Sequence, residues 1–177
     1  MKNSALNRLT LHHFPSSSET EICFSCGACT PIAPGSATHR YMRSSPGCWA
    51  AYGELLAREY GDPAFMRFHP LTVDAYALQH PGGDDPQSIS SVHVHLASLV
   101  AYFDRGAPLH SLSDIRKDVV KRKASFERLV PPPSLGNVVV SDVLPAVDAA
   151  EHGVLVERWA RSVYRAWSAH HKEVVSS

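Results

Sequence analysis

Residues 45–61 read Ser45-Pro46-Gly47-Cys48-Trp49-Ala50-Ala51-Tyr52-Gly53-Glu54-Leu55-Leu56-Ala57-Arg58-Glu59-Tyr60-Gly61, and the fold class turns on this stretch. Ser45 is placed to cap a helix whose first position is Pro46, where the missing N–H costs nothing. Trp49, Tyr52, Leu55, Leu56 and Tyr60 then recur three or four residues apart until Gly61, the period of one buried helix face. Cys48 falls in the first turn, where unpaired backbone amides favour a thiolate and are expected to lower its pKa.

The helical period returns downstream. Leu71 to Gln79 predicts a shorter helix capped by Thr72 and bounded by His69-Pro70 and His80-Pro81. Proline disfavours helical geometry in the residue before it, so His69 and His80 mark the two ends of this element. After the turn Gly82-Gly83-Asp84-Asp85-Pro86, the residues Ile89, Val92, Leu96, Leu99, Val100 and Phe103 trace one face as far as Gly106. Ser113 to Leu129 reads as a basic amphipathic helix ended by three prolines. Val138 to Val140 reads as a short strand or a buried extended piece, and Leu155, Trp159, Val163, Ala166 and Trp167 define a last helix over 148–172. The expectation is an all-α or nearly all-α fold of four to six helices packed around a Cys/His metal site. Residues 1–20, which include Pro15-Ser16-Ser17-Ser18, are expected to be a flexible lead-in, and 21–175 a single helical domain.

Composition narrows the function classes. The 177-residue chain is 44% hydrophobic and 19% charged, a globular balance that can bury a core without disulfides. Seventeen basic residues offset seventeen acidic ones, so no net field draws it to nucleic acid or anionic lipid, and neither is an expected partner. The run from Arg116 to Arg128 is broken by Asp118 and Glu127 and reads as a solvated helix face. No stretch is long and apolar enough to span a bilayer, and nothing at the N-terminus reads as a leader, so a cytoplasmic location is expected. In that setting four cysteines read as thiols or metal ligands.

The strongest local signal is Cys23-x-x-Cys26, with Gly27 permitting the tight turn that lets both sulfurs face one ion. Cys48 is the natural third ligand. For the fourth, the chain offers His39, His69, His80 and His95, with Cys29 as a substitute. His80 is favoured because the Gly82-Gly83 turn folds the end of its helix back beside the others. The expected set is therefore Cys23, Cys26, Cys48 and His80 around Zn2+, mainly structural, in a protein whose task is a protein or small-ligand interaction. Two other readings stand beside it. A metal-dependent hydrolase would use His69, Asp74, Gln79, His80 and His95, with Asp74, His69 and His95 as catalytic candidates. A thiol redox protein would use the CxxC pair, but no strand is expected to lead into Cys23 and no helix to start at Cys26. His170-His171 reads as a helix end. Phosphate loops, nucleophile elbows and zinc-protease helix motifs are missing from the sequence.

Three strings carry a resemblance: Tyr41-Met42-Arg43-Ser44-Ser45-Pro46-Gly47-Cys48-Trp49, Val73-Asp74-Ala75-Tyr76-Ala77-Leu78-Gln79-His80-Pro81 and Ser91-Val92-His93-Val94-His95-Leu96. Together with the CxxCG knuckle, they resemble an uncharacterised bacterial family of unknown function over roughly residues 20–170. The resemblance implies that Cys23, Cys26, Gly27, Cys48, Trp49, Asp74, Tyr76, Gln79, His80 and His95 belong to its pattern. It leaves Cys29 outside that pattern. The family carries no assigned activity, so the resemblance implies a residue set and not a reaction.

Overall fold

The computed structural model describes residues 19–176, so all but the last two residues of the expected lead-in lie outside the described part. In chain order the elements are β1 (Thr20–Ile22), β2 (Cys29–Pro31), α1 (Pro46–Gly61), α2 (Pro63–Met66), α3 (His69–Gln79), α4 (Pro86–Arg105), α5 (Leu112–Val120), α6 (Val140–Val143), α7 (Ala149–Ala166) and α8 (His171–Ser176). The fold is nearly all helical. Five helices have nine residues or more, α1, α3, α4, α5 and α7, and three short ones fill the joints.

The ends of α1 and α4 follow the sequence signals. Ser45 accepts a hydrogen bond from the Cys48 amide at 3.3 Å, and Pro46 opens α1. Asp85 caps α4, and Gly106 ends it in the left-handed conformation at φ 66°.

Elsewhere the structure departs from the expectation. A strand does lead into Cys23, because β1 and β2 form an antiparallel hairpin pairing Thr20 with Pro31 and Ile22 with Cys29. Three-residue strands are too short for a period-2 pattern to show. Helix α3 starts at His69, not Leu71. Pro70 falls in its first turn, where no amide hydrogen is needed, and Thr72 does not cap it. The basic helix stops at Val120 instead of Leu129, and a 3₁₀ turn over Lys123–Ser125 redirects the chain. That bend lets Phe126 stack on His93 at 4.3 Å and Leu129 enter the core. Val138 is buried outside any strand, and Val140 opens α6. The last helix breaks at Trp167, which is fully buried and donates its indole N–H to the Leu78 carbonyl at 3.2 Å.

Helix α3 is the axis of the fold, packed against α1, α4 and α7. Leu71, Ala75, Tyr76 and Leu78 bury apolar surface there, and three polar hubs join the neighbours. Asp74 accepts from His95 Nδ1 at 2.7 Å, from Ser98 Oγ at 2.5 Å and from Arg116 at 2.8 Å, tying α3 to α4 and α5. Gln79 Oε1 accepts from the Trp159 indole at 2.8 Å, while its amide donates to the carbonyls of Leu135 and Val138. Glu59 on α1 has no solvent exposure and accepts from Thr72 and His69 of α3 and from His152 of α7. Buried polar groups in folded proteins are mostly hydrogen-bonded, and here the bonds also fix how five helices, α1, α3, α4, α5 and α7, meet.

Burial raises the Glu59 pKa, but the hydrogen bonds from His152, His69 and Thr72 outweigh it and hold the carboxyl below the ordinary value of 4.5. A depressed folded-state value contributes stability in full above 4.5, and that contribution is lost as pH falls through the depressed value. Glu59→Gln is expected to destabilise the protein by roughly 1–3 kcal/mol at neutral pH. The deficit relative to the parent should narrow on acidification below 4.5, as read by urea unfolding across pH.

Candidate metal centre

Three elements bring four ligand atoms to one point. The β1–β2 hairpin supplies the first two. Between its strands the Cys23 amide donates to the Ala28 carbonyl and the Gly27 amide to the Cys23 carbonyl, each at 2.8 Å, and Gly27 takes φ 78°. This knuckle turns the Cys23 and Cys26 sulfurs to the same side. The first turn of α1 supplies Cys48, and the C-cap of α3 supplies His80.

The ligand atoms of Cys23, Cys26, Cys48 and His80 lie within 4.8 Å of one another, the one such group among the described residues. Cys26 Sγ is 3.8 Å from Cys48 Sγ, and His80 Nε2 is 3.4 Å from Cys48 Sγ and 3.6 Å from Cys23 Sγ. A tetrahedral ion with bonds of about 2.3 Å to sulfur and 2.0–2.1 Å to nitrogen requires edges of about 3.8 Å between sulfurs and about 3.5 Å from sulfur to nitrogen. The observed edges match those of a coordination shell, so the four side chains can hold a metal ion.

Surrounding groups orient the ligands. His80 Nδ1 donates to the Tyr76 carbonyl at 2.7 Å, which fixes the tautomer that leaves a lone pair on Nε2 for a metal. The Ser45 amide points at Cys23 Sγ from 3.5 Å, and the Tyr76 hydroxyl at Cys48 Sγ from 3.7 Å, the arrangement that stabilises thiolates. Ser25 Oγ donates to the Gln79 carbonyl at 2.9 Å, tying the knuckle to α3. Glu21 accepts from the Gly47 amide, tying β1 to α1. At Gly47 a Cβ would stand 2.2 Å from the Pro31 carbonyl oxygen, so the glycine before Cys48 is what lets α1 meet the hairpin.

The electrostatics correct one expectation. Helix position alone pointed to an acidic Cys48, but hydrogen bonds with Cys23 and Cys26, and then burial, push its pKa far up. The hydrogen bond with Cys23 likewise pushes Cys26 up to about 12. The same contacts with Cys26 and Cys48 drive Cys23 far down. Three thiolates this close repel one another, so holding them together takes a cation. Cys23 is 1% exposed, which seals its sulfur from a redox substrate.

The other candidates sit elsewhere. Cys29 is exposed on β2. The His39 ring packs on Tyr41 and Trp49, and burial lowers its pKa. His69 bonds to Glu59 and Tyr60, whereas Asp74 and His95 pair with each other beside Arg116 and Ser98. Gln79 is occupied by Trp159. His170 and His171 bond to the carbonyls of Val130 and Tyr164. The His/Asp set of the hydrolase reading is thus divided among separate hydrogen-bond networks.

Sequence reasoning missed Ser45, Glu21 and Ser25 as supports. It also read Arg116 as solvated, although its position four residues after Leu112 and three before Val119, both buried, placed it on the apolar stripe of α5.

A family model described as a family of unknown function (DUF5946) matches residues 21–168. The chain belongs to DUF5946. No curated protein and no solved structure matches it. The span matched to DUF5946 includes all four ligand residues and the whole of α3 and α7.

Gly47→Ala changes none of the four candidate ligand residues but forces α1, and Cys48 with it, off the hairpin. It is expected to weaken metal binding by roughly 10–100-fold, as loss of outer-shell support does, in competition with a chromophoric chelator.

Proposed function

We propose that this protein binds one zinc ion through Cys23, Cys26, Cys48 and His80, and that the zinc is mainly structural. Three sulfurs and an imidazole within 4.8 Å of one another, with the Cys26–Cys48, Cys48–His80 and Cys23–His80 edges near tetrahedral lengths, carry this reading, because soft donors in that geometry select zinc over hard cations. Four protein ligands complete the tetrahedron, leaving no open position for the water a hydrolytic zinc would activate. The ion clamps the hairpin onto α1 and α3, a role that suits strands too short to be stable alone. The clamped domain then serves interaction with a protein or a small ligand. A reducing cytoplasm, where thiols persist, is the compartment that suits it. No described helix is long and apolar enough to cross a membrane.

Elemental analysis of untagged protein tests the reading. About one equivalent of zinc is expected in the parent, lost in Cys26→Ser and in His80→Ala. Chelation of the parent should lower its thermal midpoint and expose the hairpin to protease. A metal-free parent of undiminished stability would end the proposal.

A further inference from the structure

Away from the metal centre, α7 carries Arg158, Arg161 and Arg165 on its exposed side. Spacings of three and four residues put them on one helix face. All three line a groove of about 860 Å³ whose opposite wall is the segment 132–138. Positive charge is concentrated in this groove and only partly neutralised. Lys117, Lys121 and Arg128 are each paired with an aspartate. In the groove Arg161 alone has an acidic partner, donating to Glu157 at 2.7 Å while its guanidinium lies over Phe103. Arg158 and Arg165 have no acidic partner among the described residues.

The facing wall is fixed in advance. The Asn137 amide donates to Ser162 Oγ and the Ser162 hydroxyl to Asn137 Oδ1, each at 2.8 Å, between the outer two arginines. Behind the wall Gln79 holds the carbonyls of Leu135 and Val138. These bonds leave the Asn137 side-chain NH2 as a neutral donor at the groove.

We propose that this groove is a binding site for a small molecule bearing a diphosphate or triphosphate group. Guanidinium forks match phosphate oxygens bidentately. Arg158, Arg161 and Arg165 are spread over about 10 Å of helix axis, a row able to engage more than one of a set of linked phosphates. The volume lies within the roughly 300–1,000 Å³ of small-ligand pockets. A concave site on an otherwise charge-balanced protein suits a small ligand better than a polynucleotide, which needs an extended basic track. Arg158 and Arg165 grip the phosphates, Arg161 is held ready by Glu157 and Phe103, and Asn137 donates from the wall.

Titration calorimetry of the full metal-loaded chain with inorganic triphosphate and with ADP, each with excess Mg2+ to limit competition for the bound ion, tests the site. Saturable, salt-weakened binding of about one probe per chain is expected. Arg158→Ala and Arg165→Ala should each weaken it at least about tenfold, the loss of one hydrogen bond to a charged group, with circular dichroism and metal content unchanged. If an alanine variant fails to fold, the glutamine variant, which keeps the packing of the stem, makes the same comparison. Tighter binding of ADP than of triphosphate assigns a nucleoside contact; equal binding assigns recognition of the phosphates alone. No saturation by either probe up to about 10 mM, affinity unchanged in the variants, or preference for single-stranded polynucleotide overturns the proposal. No metal ligand lines the groove, so this reading and the zinc reading fail separately.

Discussion

Three thiols and an imidazole meeting at one buried point is the constraint on which the N-terminal half of this protein depends. Thiolates that close repel one another, and burial adds a desolvation penalty to every charge. The structure compensates with donors aimed at sulfur, the Ser45 amide and the Tyr76 hydroxyl, and with a cage of tetrahedral dimensions. The hairpin has little hold of its own beyond three-residue strands. It is kept in place through Ser25 on the end of α3 and through Glu21 on the start of α1.

The same arrangement explains why the segment from Asp74 to His80 is so rich in polar residues while so deeply buried. Asp74 and Gln79 face the scaffold, one joining α4 and α5, the other joining α7 and the segment ending at Val138. Tyr76 and His80 face the cage. Four residues separate these two, so the Tyr76 carbonyl lies directly behind the His80 ring and sets its tautomer. One helix therefore serves both as the structural axis and as the arm that carries the nitrogen ligand, and damage to either function reaches the other through Gln79 and its neighbour.

Helix α7 divides its two faces differently. Its inner face buries Val156, Trp159, Ala160 and Val163 against the axis. Its outer face holds arginines beside a wall that Gln79 itself braces. Gln79 is thus adjacent in sequence to His80 of the cage and bonded to the backbone of the groove wall.

Much of this was legible in the residues. The cap of α1, the Gly106 end of α4, the apolar faces, the CxxCG knuckle and the candidate cysteine ligands could be read because they rest on local rules, such as Ser-Pro at a helix start, helical spacing, and cysteine spacing with glycine at the turn. The sequence by itself thus determined a nearly all-helical fold and named Cys23, Cys26, Cys48 and His80. It favoured His80 but left His39, His69 and His95 as alternatives, because a histidine's partner depends on what faces it across space. Only the tertiary structure sent His69 to Glu59 and His95 to Asp74 and left His80 facing the sulfurs. It also coupled the three thiols to one another, turned Arg116 inward and shortened α5, since each outcome depends on burial and on contacts between residues far apart in the chain.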